Sequence, residues 1–120
     1  KLLDSIGRDV DTASPDETVY DALALMAKKE IGALVVLEKK KMVGIISERD
    51  YARKVILKGK SSKKTKVREI MTSDVIHVSP DQKVGKCLSL MTKKRIRHMP
   101  VLNKDRLVGL LTIEEIKGKI

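Results

Sequence analysis

The sequence is built twice. Moved by about 65 positions, the 120-residue chain matches itself without a gap. Asp9-Val10 falls on Asp74-Val75, Ser14-Pro15-Asp16 on Ser79-Pro80-Asp81, and Leu25-Met26 on Leu90-Met91. Further along, Val36-Leu37 falls on Val101-Leu102 and Val43-Gly44 on Val108-Gly109. A duplicated unit of about 45 residues commits the chain to forming one local fold two times. Each copy is too small to bury a good core alone. The two sheets are therefore expected to pack together about a pseudo-twofold axis, leaving two related clefts between the copies. Symmetric clefts of that kind are natural ligand sites.

Each copy reads β-α-β-β-α, an α+β architecture. Val10 to Ala13 and Val75 to Val78 read as short extended segments. Ser14-Pro15-Asp16-Glu17 is expected to open a helix, with Ser as cap, Pro in the first turn and Glu17 closing a capping box. Ser79-Pro80-Asp81-Gln82 is expected to do the same in the second copy. Val19, Ala22, Leu23, Met26 and Ala27 follow helical spacing, and Val84, Cys87, Leu88 and Met91 repeat it. Two strands follow in each copy, Ala33–Leu37 with Met42–Ile46 and Met99–Leu102 with Leu107–Leu111, joined by the charged turns Glu38-Lys39-Lys40-Lys41 and Asn103-Lys104-Asp105-Arg106. A closing helix is expected near Glu48–Leu57 and near Ile113–Lys119. The expected organisation is a first repeat over 1–57, a basic linker over 58–66 and a second repeat over 67–120. The linker, Lys58-Gly59-Lys60-Ser61-Ser62-Lys63-Lys64-Thr65-Lys66, carries no apolar period and reads as a solvated connector or as a basic flap beside a bound anion.

Composition narrows the function classes. Regularly spaced aliphatic residues argue against disorder. There is no run of about 18 apolar residues, so no membrane span is expected, and no signal peptide is visible. The chain starts at Lys1 rather than at a methionine, which raises the expectation that a tag, targeting segment or further domain preceded it. Lysine and arginine number 26 against 16 acids, a formal charge of +10 that favours an anionic partner. The only aromatic residues are Tyr20 and Tyr51, so stacking platforms for single-stranded nucleic acid are lacking. No zinc-finger, basic-zipper or RNP-like pattern is present, and the cations are spread over turns, helix ends and the linker, so nucleic acid is disfavoured as a partner. The single cysteine, Cys87, cannot form an internal disulfide and takes the place of Ala22 on an apolar helix face. It reads as an inert buried thiol in a reducing compartment, the cytoplasm or, if a targeting segment was removed, an organelle matrix.

The stretch GIISERD, Gly44 to Asp50, carries the chemistry. A strand ends at Ile46 and a helix starts after Ser47. Ser47 can be a plain N-cap and Asp50 a first-turn acid favoured by the helix dipole. The same geometry suits a nucleoside phosphate: free N–H groups and a hydroxyl attract phosphate, and a carboxylate one turn on matches the paired hydroxyls of a ribose. The second copy has GLLTIEE, with Thr112 for Ser47 and Glu115 for Asp50.

The doubled unit, the Ser-Pro-Asp helix start, the His98-Met99-Pro100-Val101 strand and the Gly-x-x-Ser/Thr-x-x-Asp turn, whose two positions after Gly are apolar and from which Glu115 departs, together resemble a pair of CBS domains, the motif named after cystathionine β-synthase. SERDYARKVILKGKSSK is most similar to small stand-alone CBS-pair proteins of bacteria and plant organelles. The resemblance implies a regulatory, non-catalytic module, a homodimer, and an adenosine-containing ligand such as AMP, ADP, ATP, S-adenosylmethionine or NAD(H), whose binding signals to a protein partner. It implies Asp50 as the ribose-binding acid, Ser47 as the hydroxyl beside the phosphate and Ile45 as a wall of the adenine slot. Ile96 and Arg97 would border the same cleft, with Arg97 and His98 near phosphates. Arg97 reads equally as a solvated helix-end cation, and His98, if unperturbed, would make phosphate binding sensitive to pH. Thr112 keeps the hydroxyl of the second cleft, but Glu115 is the longer acid, and Gly32-Ala33-Leu34-Val35 lacks the cations of Arg97-His98. Unequal sites are expected, with the Asp50 cleft the binding one.

No nucleophile motif, paired-carboxylate site, metal-ligand cluster or Walker signature supports an enzyme. The alternative is a CBS scaffold that binds no nucleotide and recruits an acidic partner through its positive charge.

Overall fold

Helical spacing in the first copy becomes helix α1 (Val19–Lys29), which buries Val19, Ala22 and Met26. Before it lies strand β1 (Thr12–Ala13); after it come β2 (Ala33–Glu38), β3 (Lys41–Ser47), helix α2 (Glu48–Tyr51), a π-helical turn at Ala52–Ile56 and helix α3 (Val67–Ile70). The second copy supplies α4 (Val84–Lys94), β4 (His98–Asn103), β5 (Arg106–Thr112) and α5 (Ile113–Lys117). This computed structural model describes residues 10–118. The chain forms two compact units, one spanning Asp11–Asp74 and the other running from Val75 onward. The α+β architecture, with the helix and hairpin built twice, is the one the sequence leads one to expect.

In the first unit the sheet order is β1-β2-β3, with β1 parallel and β3 antiparallel to β2. The second unit keeps the hairpin β4-β5, with the same register pattern and the same irregularity one residue after its Gly109 pairing. Both hairpin turns place two successive non-glycine residues at positive φ, Lys39 and Lys40 at 51° and 68°, Lys104 and Asp105 at 50° and 68°. That is the geometry of a two-residue type I′ turn, whose twist matches the strands.

The extended segment expected at Val75–Val78 contracts to a single parallel bridge, Val78 to Val101, and His77 lies in irregular structure. Pro100 explains the loss. It stands where β2 has Val35, the partner of Thr12, and proline has no N–H with which to continue the ladder.

The helix starts also differ from expectation. Ser14 closes a turn instead: its Oγ accepts from the Asp16 N–H at 3.3 Å and its carbonyl from the Glu17 N–H at 3.2 Å. Helix α1 begins later, capped by Thr18, whose hydroxyl accepts from the Asp21 N–H at 3.1 Å. In the second copy the Gln82 N–H donates to the Ser79 carbonyl and α4 begins after Lys83. The carbonyls that an earlier helix would use are taken elsewhere: Pro15 accepts from the Arg68 N–H at 3.0 Å and Glu17 from the Val67 N–H at 2.8 Å.

Those bonds belong to a strap formed by the linker and α3. The amides of Val19 and Tyr20, which have no partner inside α1, donate to the carbonyls of Thr65 at 2.8 Å and Ser62 at 3.0 Å. Thr65 is buried, its hydroxyl donating to the Ser61 carbonyl. The Lys63 ammonium sits 5.0 Å from the centre of the Tyr20 ring, a cation–π contact. Val67 and Ile70 enter the core formed by Val19, Met26, Leu34, Val36, Ile46 and Val55. The linker is thus bonded along its length to the first unit, although most of its side chains are exposed. By sequence Val67–Ile70 aligns with the second copy, whereas by packing it completes the first unit.

The second unit has its own core of Cys87, Met91, Met99, Val101, Leu111 and Ile116. Cys87 is buried, as expected from its alignment with the buried Ala22, and burial pushes its thiol pKa up, away from the reactive thiolate.

Candidate functional site

Gly44 sets the position of the first candidate site. A Cβ there would lie 2.7 Å from the Met71 sulfur and 2.9 Å from the Thr72 carbonyl oxygen, so only glycine lets this backbone come so close. The next residue, Ile45, exchanges two hydrogen bonds with Thr72, both 2.9 Å. Strand alternation then sends Ile46 into the core and leaves Ile45 half-buried on the opposite face.

β3 ends at Ser47, whose extended backbone makes it the N-cap of α2. Its hydroxyl accepts from the Asp50 N–H at 3.2 Å, and Asp50 answers through Oδ2, which accepts from the Ser47 N–H at 2.9 Å and from its hydroxyl at 3.1 Å. This is a reciprocal capping box. The other carboxylate oxygen is held more loosely. Oδ1 lies 3.3 Å from the Lys54 ammonium and 3.5 Å from the Thr72 hydroxyl. The Asp50 side chain is 13% exposed and that of Lys54 45%.

Sequence reasoning named Ile45, Ser47 and Asp50 here and missed Lys54 and Thr72. Lys54 had a signal, its spacing of four from Asp50 on a helix. Thr72 had none, since it reaches Asp50 from 22 residues away through the docking of the strap.

In the second unit the remaining candidates gather at the start of the hairpin. His98 pairs with Thr112 across β4 and β5, and the Arg97 carbonyl accepts from the Ile113 N–H at 2.9 Å. Ile96 is partly buried against the core of that unit. The Arg97 guanidinium pairs with the Glu114 carboxylate, both side chains more than half exposed. The Glu114 carboxyl is held below the usual carboxylate range, first by its own backbone N–H and then by Arg97, with the charge of His98 adding to the effect. Thr112 caps α5 as Ser47 caps α2: its hydroxyl accepts from the Glu115 N–H at 3.1 Å, and Glu115 Oε1 accepts from the Thr112 N–H at 3.2 Å and its hydroxyl at 3.0 Å. The longer acid therefore closes the same box. The counterparts of Lys54 and Thr72 are Lys119 and Gly7, which lie outside the described residues.

The chemistry available is that of acceptors and cations beside a strand end. Among the described residues no group of three His, Cys, Asp or Glu side chains is placed to hold a metal ion, and no helix is long and apolar enough to cross a membrane.

Comparison with known proteins agrees with the duplicated pattern. The family model for the CBS domain matches residues 4–57 and again 67–120. CBS domain-containing protein CBSX3, mitochondrial, of Arabidopsis thaliana is 46% identical over 106 residues, covering 84% of this chain. The chain spans about half of that relative's length, 52%. A CBS-domain protein from Burkholderia ambifaria has a solved structure that matches with a TM-score of 0.94 and 45% identity, over 98% of this chain and 89% of that one. A hexameric CBS-CP12 protein from bloom-forming cyanobacteria matches with a TM-score of 0.89 and 30% identity, over 98% of this chain and 66% of that one.

Proposed function

The chain belongs to the CBS-domain family, carrying the domain twice, and from that membership we propose that it binds an adenosine-containing nucleotide, AMP, ADP, ATP or NAD(H), and signals energy or redox state to a protein partner. CBS pairs are regulatory modules, commonly nucleotide-binding, and stand-alone members are regulatory rather than catalytic. In this reading Asp50 takes the ribose hydroxyls, Ser47 and the amides of α2 lie beside the phosphate, and Ile45 lines the adenine. Arg97 and His98 supply further phosphate contacts, Ile96 an apolar border and Thr112 the hydroxyl of a weaker second site. The module acts as a homodimer in the cytoplasm or an organelle matrix.

The observation that carries the reading is the division of Asp50 between two tasks. Oδ2 is committed to the helix cap, whereas Oδ1, among the described residues, has the two longer contacts to Lys54 and Thr72. A ribose hydroxyl at ordinary hydrogen-bond distance would be a better donor to Oδ1 than the Thr72 hydroxyl at 3.5 Å. The second copy differs in sequence: Glu115 stands for Asp50, and Gly7, which has no hydroxyl, aligns with Thr72; this supports unequal sites.

Titration calorimetry with AMP, ADP, ATP, NAD(H), S-adenosylmethionine and GTP tests the proposal. One adenosine ligand is expected to bind wild type, and Asp50→Asn to weaken it about 10- to 100-fold, the cost of weakening a hydrogen bond to a charged group. Asparagine keeps an oxygen for the cap, so the fold is retained. No heat with any of the six overturns the nucleotide reading and leaves the ligand-free scaffold for an acidic partner.

A further inference from the structure

Lys54 is placed where its ammonium touches two things that are far apart in the chain. It lies 3.3 Å from Asp50 Oδ1 and donates to the carbonyl of Ile70, the last residue of α3, at 2.9 Å. The backbone around it is unusual. Leu57 N–H donates to the Ala52 carbonyl at 3.1 Å, the five-residue step of a π-helical turn, a feature often found where a helix has been locally rebuilt for function. Two residues beyond Ile70, Thr72 makes the second contact to the same oxygen of Asp50 and pairs with Ile45 through both its backbone groups. The segment Ile70–Thr72 is therefore held to the candidate site by three ties, two of which end on Asp50 Oδ1 directly or through Lys54.

From this arrangement, and resting on the nucleotide reading above, we propose that Lys54 is a positioning residue that tethers Ile70–Thr72 to Asp50, so that a ligand on Asp50 Oδ1 is sensed by this segment. The physical reason is competition for one oxygen. A carboxylate oxygen in the free protein accepts from Lys54 and Thr72; a ribose hydroxyl at the same oxygen withdraws the acceptor from both. Lys54 is then left with the Ile70 carbonyl alone, and the Ile45–Thr72 pairing loses its side-chain support. Ile70–Thr72 leads along the chain into Asp74 and Val75, where the first unit ends. A change in this segment is thus delivered to the covalent connection at Asp74–Val75, one of the two points where the chain passes between the units.

Amide hydrogen exchange at Ile45 and Thr72 on the full chain, with and without AMP, tests the role. In wild type AMP is expected to speed exchange of the Thr72 amide about fivefold or more, a local opening well short of unfolding. Lys54→Met is expected to exchange faster than wild type before AMP is added and to respond little when it is. Lys54→Arg is expected to restore both the slow baseline and the response. Thr72→Val removes the other contact without touching Lys54 and is expected to raise the baseline in the same way. A Lys54→Met protein whose Thr72 amide matches wild type, free and with AMP, overturns the proposal. If calorimetry shows ADP, ATP or NAD(H) bound rather than AMP, the exchange comparison is made with that ligand and the same outcomes apply; if none of the six ligands binds while Lys54→Met still raises the baseline, the tether is structural only, and the nucleotide reading and the sensing role fail together.

Discussion

Ser47 and Thr112 make the same cap in the two copies, with the same donors and acceptors. Replacing either hydroxyl by alanine is expected to cost about 1 kcal/mol of stability, measured by urea denaturation without ligand. Only Ser47→Ala is expected also to weaken nucleotide binding by calorimetry, because the Asp50 site is proposed as the stronger one. Equal effects of the two substitutions on binding would contradict unequal sites. A second residue-scale prediction concerns acid. The Asp16 carboxyl lies below the usual carboxylate range chiefly because the Arg68 side chain donates to it, with the charges of Arg68 and Lys66 adding. The unfolded chain then takes up that proton at higher pH than the folded one. The contribution of this pair is present at neutral pH and is lost as the pH falls through the lowered value of the folded state. Both groups are well exposed, so the effect is small. Asp16→Asn is expected to lower stability slightly at neutral pH and to leave the acid end unchanged, so that the acid limb of the stability curve is flattened.

Among the elements, the hairpins were legible and the helix starts were not. Short, continuous apolar runs around charged two-residue turns specify β2-β3 and β4-β5 almost by themselves, because in a hairpin the turn length fixes the register. The turn residues carry a cost the pattern does not reveal. Lys39 and Lys40 hold positive φ without being glycine, which strains an L-residue. Replacing the pair by Asn-Gly is expected to raise stability by about 1 kcal/mol, read as an upward shift in the denaturation midpoint; no gain would mean the turn relaxes in solution. Ser-Pro-Asp misled for a different reason. The residues can cap a helix or close a turn with equal local propriety. The choice fell to the turn because α3 and the linker supply partners to Pro15, Glu17 and the first amides of α1.

For the whole molecule, the consequence is that the repeat in the sequence and the unit in space have different limits. Ile70 aligns with the second copy yet is 2% exposed in the core of the first unit. Ile70→Ala is expected to destabilise by about 2–5 kcal/mol, the usual cost of emptying such a site. In hydrogen exchange the loss should fall on the amides of β2 and β3 before those of β4 and β5. Ile116→Ala, in the core of the second unit, should show the opposite order. Uniform loss across both hairpins in each variant would mean that the units open together rather than separately.

The sequence by itself determined the duplicated unit, the hairpins, the apolar faces of α1 and α4, and the two hydroxyl–acid turns. Each of these is set by spacing within one copy, and spacing acts through local backbone geometry that neighbouring residues share. Only the tertiary structure decided where the helices begin, that the linker and α3 belong to the first unit, and which side chains stand around Asp50. Those outcomes depend on which distant carbonyl, ammonium or hydroxyl arrives first at an unsatisfied group. Lys54 and Thr72 meet at one carboxylate oxygen because a strap docks against Gly44, and a linear pattern holds no record of that approach.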